Sequence, residues 1–204
     1  MTILSKDDIN AQEKLIKVQF ATSLPGIKPI CLVGTTDTHG AYNLSIFSSI
    51  THFGSSPLIL GMVTRPATVE RHTLNNILET KCWTLNHIHK EILPQAHQTS
   101  AKYPKKHSEF VAVRLTPHTP VTGFVAPSVL ESKVQIGLKL ADIIDIPVNG
   151  TQLILGEVEW VNIDDHALEK DGSINFDQTG TLGSTALDTY FSTQQIAKLP
   201  YARP

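Results

Sequence analysis

The stretch Val33-Gly34-Thr35-Thr36-Asp37-Thr38-His39-Gly40-Ala41-Tyr42-Asn43-Leu44-Ser45-Ile46-Phe47-Ser48-Ser49 decides how this chain folds. Residues 28–36 read as a buried strand that ends at the Thr35-Thr36 pair. Asp37-Thr38-His39-Gly40 is a turn, with Gly40 suited to a positive φ. Residues 42–49 resume as a strand, so the two runs form a hairpin. The period of two puts Asn43, Ser45, Phe47 and Ser49 on one face and Leu44, Ile46 and Ser48 on the other. A third apolar run, residues 57–63, is followed by Arg65 and then by Arg71-His72-Thr73 at a helix start. Strands rich in small hydroxyl and amide side chains, followed by an arginine-marked helix N-terminus, suit a ligand with a flat polar ring system at one end and a phosphate at the other.

Further along, Thr73 reads as the N-cap of a helix over 73–79 whose Leu74, Ile77 and Leu78 share a face. Residues 82–88 return as a strand. Residues 91–103 are helix-compatible, with Pro94 near the start. Residues 110–113, 128–138 and 152–163 favour strand, and Gly150 turns the chain into the last of them. A short polar excursion begins at 163 and is closed by the Asp171-Gly172 turn. Residues 1–19 read as an N-terminal arm, largely polar and either loosely held or partner-docking up to residue 12, and residues 182–204 as a partly helical or irregular tail. Many short strands with turn signals and two or three short helices predict a mainly β architecture, an antiparallel barrel with helical decorations. A chain of 204 residues is expected to form one domain, 1–204.

Hydrophobic residues make up 41% and charged residues 18%, which fits a globular chain and argues against disorder. A formal net charge of -2, with no block of Lys and Arg interleaved with aromatics, gives no electrostatic reason to expect nucleic acid. Lys6, Asp7, Asp8, Glu13, Lys14 and Lys17 break any signal-peptide core in the first twenty residues, and no apolar run is long enough to span a bilayer. No membrane partner and a cytoplasmic location are therefore expected. Cys31 and Cys82 sit in separate apolar runs without C-x-x-C spacing and read as buried free thiols.

Each polar group has a structural and a functional reading. Asn43, Ser45, Ser48 and Ser49 are either the solvated face of a half-buried strand or a ligand wall. Arg65 and Arg71 are either surface charges or, with His72 and Thr73, an anion clamp at a helix N-terminus. His97 and Ser100, at i and i+3 of one helix, are either surface groups or cavity lining. Nine histidines raise the question of a metal, yet neither H-E-x-x-H nor a Cys/His cluster occurs, and His87-x-His89 alone does not make a site. Gly34 and Gly40 do not form G-x-G-x-x-G, and there is no P-loop and no G-x-S-x-G.

Taken in order, Asn43-x-Ser45-x-Phe47-Ser48-Ser49, the strand after Ser56-Pro57, Arg71-x-Thr73-x-x-Asn76-Ile77 and Trp83-Thr84-Leu85-Asn86 resemble the flavin reductase-like, FMN-binding split-barrel family. Ala96-His97-x-x-Ser100 and Ser108-Glu109-Phe110 are similar to its flavoredoxin-like branch. The likeness continues through Ala126-Pro127-x-x-Leu130-Glu131-Ser132, Leu155-Gly156-Glu157-Val158 and Leu187-Asp188-Thr189-Tyr190, so it covers about residues 20–204. The resemblance implies an antiparallel Greek-key split barrel, a homodimer, and FMN near the subunit interface, with the C-terminal tail on the barrel or on the dimer partner. It turns Asn43, Leu44, Ser45, Ile46, Ser48, Ser49, Arg65, Arg71, His72, Thr73, His97 and Ser100 into expected FMN contacts. It implies hydride transfer from NAD(P)H through FMN to free flavin, a partner monooxygenase or another redox protein. The alternative is an FMN electron carrier reduced by a protein partner, and a third reading is a barrel holding some other phosphorylated ligand. Because the flavin carries the hydride chemistry, neither a catalytic side chain nor a metal is expected.

One departure stands out. Many pyridine-nucleotide users of the family carry a histidine before the late strand, in a pattern like Gly-x-His-x-x-x-x-Gly-x-Val. Here the run is Asn149-Gly150-Thr151-Gln152-Leu153-Ile154-Leu155-Gly156-Glu157-Val158, so Thr151 or Gln152 stands in its place. Neither can carry charge near neutral pH.

Overall fold

The computed structural model describes residues 1–66, 71–104 and 106–203. Two helices, α1 (Lys6–Asn10) and α2 (Lys14–Ser23), lead into strands β1 (Lys28–Pro29), β2 (Cys31–Thr36), β3 (Tyr42–Phe47), β4 (Ile50–Ser55) and β5 (Leu58–Thr64). Helix α3 (His72–Thr80) and β6 (Cys82–His87) follow. A 3-10 turn then runs into α4 (Leu93–Gln98), and α5 (Glu109–Val113), β7 (Pro117–His118) and β8 (Ser128–Val129) come next. The long hairpin β9 (Val134–Ile146) and β10 (Thr151–Ile163) precedes α6 (Phe176–Thr179), β11 (Leu182–Thr185) and β12 (Thr189–Ser192).

Seven strands form an antiparallel sheet in the order β3-β2-β6-β9-β10-β5-β4. Its two edge strands, β3 and β4, are consecutive in the chain and separated only by Ser48 and Ser49. In a flat sheet they would lie roughly 29 Å apart, six interstrand spacings. The three Cα steps from Phe47 to Ile50 reach about 11 Å at most. The sheet therefore curls into a barrel. Irregular register on β10 near Gly156 and Trp160, and on β4 near His52 and Gly54, accommodates the bend. β6 pairs with β9 only from Gln135 to Lys139; at its Cys82 start the chain arrives from α3, and Leu140 N–H donates to Lys81 O at 2.7 Å to tie that junction to β9.

Strand β2 is buried along its whole length because both of its faces are covered. Cys31 and Val33 pack inward with Met62, Trp83, Leu85, Leu138 and Ile154, under Leu74 and Ile77 of α3. Ile30 and Leu32 pack outward with Leu44 of β3 beneath α4 and α5, which contribute Ala96, Phe110 and Val113. Both thiols are buried and free, and burial pushes the Cys31 thiol up to about 12.

The hairpin, its Gly40 turn (φ 83°) and the strands around residues 57–63, 82–88 and 152–163 match the sequence expectation. Other elements correct it. Residues 110–113 are helical, not extended: Ser108 precedes an acidic first turn, and Phe110 and Val113 share the one face that meets the outer core. β3 ends at Phe47, and β4 follows where no strand is read from the sequence. The 128–138 run is broken into β8 and β9. The start of the expected C-terminal tail is the hairpin β11–β12, which extends β1 into a second sheet. Pro204, at the end of that tail, lies outside the described residues. The polar N-terminal arm forms two helices, the first closed by a Ser5–Asp8 capping box.

Two outcomes test this packing. A Cβ on Gly34 would stand 2.0 Å from Pro127 O and 2.7 Å from Thr84 Oγ1. Gly34→Ala should therefore lower stability by about 1–3 kcal/mol or more, read as a lower urea midpoint; an unchanged midpoint would show that this strand is not packed so tightly. Burial also lowers the His87 imidazole from 6.5 to about 4. Between those values the unfolded chain holds a proton that the folded one does not. Stability should thus fall as pH drops from about 6.5 to about 4, by on the order of 1–3 kcal/mol. His87→Gln should flatten that part of the profile, measured as unfolding free energy at pH 7, 5.5 and 4, and the same slope in both proteins would exclude His87 as its source.

Candidate functional site

Helix α3 begins at a place fixed by two buried hydrogen bonds. Asn43 Nδ2, on β3, donates to Thr73 Oγ1 at 3.1 Å, and Asn76 Nδ2 donates to Thr35 Oγ1 on β2 at 3.1 Å. All four residues are buried, so losing either bond would strand a polar group away from water. Together these bonds press the first turn of α3 against the β2–β3 hairpin.

No described side chain caps that turn. Arg71 occupies the N-cap position in an extended conformation, so the first helical N–H groups carry their partial positive charge outward. Thr73 Oγ1 only accepts among the described residues, which leaves its own O–H to donate. Arg71 Nε is buried and has no hydrogen-bond partner among the described residues. A buried guanidinium donor without an acceptor is costly, and the group that satisfies it together with free helix N–H groups is an anion. The residues here thus fit the phosphate of a nucleotide-like cofactor.

The polar side of β3 meets this point. Asn43 is buried beside Thr73, Ser45 follows two residues on, and Ser48 lies just past the strand end. The Ser45 and Ser48 hydroxyls are half-buried and bonded to no described residue, so they are open to a ligand. Ser49 is used otherwise: its Oγ accepts from Val63 N–H (3.2 Å) and donates to Val63 O (2.9 Å), pinning the β3–β4 corner to β5. Leu44 and Ile46 point into the outer core, so any contact from them would be through the backbone. Leu44 N–H already donates to Glu109 Oε2 at 3.1 Å.

The remaining expected residues lie elsewhere. Arg65 is exposed just beyond β5, and residues 67–70, which join it to Arg71, are outside the described residues. His97 is exposed in the last turn of α4, with Nδ1 2.6 Å from Tyr190 Oη and the two rings edge to face, which fastens α4 to β12. Ser100 is not on the helix with it but in the turn after α4. Since α4 covers the Leu44 face of β3 and α3 bonds to Asn43 on the opposite face, the structure does not bring His97 and Ser100 to the Arg71–Thr73 group.

Sequence reasoning missed a small cleft beside the α3 start. It holds about 20 Å³ and is lined by Asp37, Tyr42, Asn43, His72, Asn76, His107 and Glu109 among others. Glu109 is almost fully buried. Its motif with Ser108 and Phe110 is visible in the sequence, but its reach to the backbone of β3 depends on tertiary contact. Among the described residues, no three His, Cys, Asp or Glu side chains stand where they could share a metal ion. His89 instead spans Glu91 and the Glu131 carbonyl. Thr151 donates to Asn149 Oδ1 (2.7 Å) and Gln152 to Asp145 Oδ1 (2.8 Å), so both are tied into the β9–β10 turn.

The chain is similar to a candidate flavin reductase with a split barrel domain from Shewanella frigidimarina NCIMB 400. The two are 42% identical, with 99% of this chain and 100% of the other covered and a TM-score of 0.95. It shares its fold with nitrilotriacetate monooxygenase component B from Bacillus cereus (19% identical, 98% of each chain covered, TM-score 0.84). It shares it also with flavoredoxin of Desulfovibrio vulgaris (Miyazaki F) (23% identical, 88% of this chain and 94% of the other, TM-score 0.76). No described helix is long and apolar enough to cross a membrane. The model of the flavin reductase like domain matches residues 27–182, and with the split-barrel sheet and its anion-ready helix start in place, this chain belongs to that family.

Proposed function

We propose that this protein binds FMN and acts as a flavin reductase-type oxidoreductase, passing electrons from NAD(P)H through the flavin to an acceptor. The observation that carries the FMN part is the buried Arg71 Nε, without a partner among the described residues, at a start of α3 that no described side chain caps. Arg71, the N–H groups from His72 onward and the Thr73 hydroxyl would hold the phosphate, with Arg65 as a second cation. Asn43, beside Thr73, would meet the sugar chain next to the phosphate, and Ser45 and Ser48, with backbone from Leu44 and Ile46, the carbonyl and nitrogen edge of the ring. Ser49 supports them by fixing the corner, while His97 and Ser100 belong to the outer wall. Bound flavin would itself supply the hydride chemistry, so the protein's part is to bind, orient and leave one ring face open.

The acceptor in this reading is free flavin, a partner monooxygenase or another redox protein, in the cytoplasm. The whole chain, 1–204, works as one domain. A homodimer is part of the same proposal. The exposed Phe53 on β4, Val63 on β5 and Ile144 on β9 lie on a stretch of sheet that no described helix covers. A second copy there would bury it.

The second reading, an FMN electron carrier reduced by a protein, is favoured by one feature. Thr151 and Gln152 are neutral and already hydrogen-bonded where NAD(P)H-using relatives carry histidine.

An absorption spectrum of the purified protein with and without added FMN tests the first claim; a colourless protein that takes up no FMN overturns it. Arg71→Ala should weaken FMN by about 1–3 kcal/mol, the scale of a lost charged hydrogen bond. Unchanged affinity in both Arg71→Ala and Arg65→Ala would remove the phosphate assignment. Anaerobic NADH or NADPH then separates the two readings: bleaching of bound FMN marks a reductase, and persistence of the oxidised spectrum marks a carrier.

A further inference from the structure

We propose that Glu109 is a positioning residue: by taking the Leu44 N–H it closes that position of the β3 edge and directs a flavin ring to the Ile46 position, two residues on. The inference rests on the flavin reading above and adds the device that sets where along β3 the ring docks.

Strand register is the first support. Across the β2–β3 hairpin, Gly34 faces Leu44 and Leu32 faces Ile46. In an antiparallel pair, facing residues alternate between those that exchange both ladder bonds and those whose N–H and C=O point away from the partner strand. Leu44 N–H donates to Glu109 Oε2 at 3.1 Å, so Leu44 is of the second kind. Ile46 is of the same kind, and so is Tyr42 on the other side. β3 has a strand on one flank only, so the backbone groups of all three point off its free edge. Tyr42 lies past the Asn43–Thr73 bond, on the anion side, which leaves Leu44 and Ile46 for the ring.

The state of those two positions is the second support. Glu109 is 7% exposed and opens α5, whose Phe110 and Val113 are locked into the outer core, so its carboxylate holds Leu44 from a fixed base. Ile46 N–H and C=O, by contrast, bond to no described residue, and the half-buried hydroxyls of Ser45 and Ser48 flank them. A strand edge offers a donor beside an acceptor, and the pyrimidine end of a flavin offers an N–H between two carbonyls, so the two can pair as a strand pairs with an added strand. Leu44 would present the same donor and acceptor about 7 Å nearer the α3 start. With both positions open the ring could dock at either, and only one leaves the right length of sugar chain between it and the anion. An ionised carboxylate accepts but cannot donate, so it also turns away a ring carbonyl that approaches Leu44. Closing the wrong position selects the right one without any added contact to the ligand.

The test reads FMN affinity by quenching of flavin fluorescence, and the visible circular dichroism of the flavin at saturation. Glu109→Asp, too short to reach Leu44 N–H, should weaken FMN by about tenfold and alter the dichroism of the bound flavin, because the ring then samples two positions. Glu109→Gln, which keeps an acceptor oxygen, should stay within about twofold of the wild-type affinity and keep its dichroism. A bond that served the fold alone would lower the urea midpoint of Glu109→Asp and leave its saturated flavin spectrum unchanged. That result, or a Glu109→Gln protein that behaves like Glu109→Asp, overturns the proposal and leaves the FMN reading standing. Should Glu109→Asp fail to fold, the wild-type protein gives the answer: FMN methylated at the pyrimidine N–H, which has lost its donor for Ile46 C=O, should bind at least about tenfold more weakly than FMN, and equal affinity overturns the proposal. Failure of the wild-type protein to bind FMN at all would overturn the flavin reading itself.

Discussion

The two residues Ser48 and Ser49 constrain this molecule more than any other short segment. They join the two edges of a seven-stranded sheet, so the sheet cannot stay open. Closure makes β2 a strand with no exposed face, and the double burial of Cys31, Leu32 and Val33 follows from it. It also brings Ser49 onto Val63, where one hydroxyl serves both the N–H and the carbonyl of the facing residue. The corner thus ends up beside the open hydroxyls of Ser45 and Ser48. The segment that closes the barrel is the one that lines the candidate site.

A closed barrel of this kind still needs its loops set, and buried polar side chains do that here. Asn86 Nδ2 donates to Leu32 O and Thr84 Oγ1, while its Oδ1 accepts from Val129 N–H. Thr84 Oγ1 donates to Pro127 O at 2.6 Å, and Gln135 ties down Val129 and Ser132. The Ala126–Ser132 run is thereby stitched across β2, β6 and β9. Its role in the family resemblance is then architectural: the Pro127, Val129 and Ser132 carbonyls and the Val129 N–H each find a fixed side-chain partner. Asn43–Thr73 and Asn76–Thr35 are the same device applied to α3, with the difference that, among the described residues, no side chain caps the helix end they aim and its Arg71 Nε has no partner.

Much of this was legible in the chain. The β2–β3 hairpin followed from period-two alternation and a Gly turn, and Thr73 marked the helix start within one residue, although Arg71 takes the cap position. What could not be read is informative. Phe110, Val111 and Val113 are β-favouring residues, yet one buried face and a favourable first turn make the run helical in context. Ile50–Ser55 carries an exposed His and Ser and a half-buried Gly, so the strand owes its form to pairing with β5 rather than to propensity. His97 and Ser100 share a helical spacing, but α4 stops after Gln98, and the tie of His97 to Tyr190, ninety-three residues away, has no local signature. Glu109 escaped for the same reason.

Glu109 also resolves a problem that the barrel creates for itself. β3 pairs with β2 on one side only, and an unpaired strand edge invites further strands. A buried carboxylate on the Leu44 N–H blocks one position of that edge from the α5 side. Farther along, past Ser45, no such plug stands among the described residues; Ser49 turns to Val63, and the Ser48 hydroxyl bonds to no described residue. An edge closed at one end by an acid and open at the other beside small hydroxyls has a direction. A ligand that pairs with the open end, and places its anion at α3, completes the edge without adding a strand, so protecting the sheet and holding the ligand become the same physical requirement.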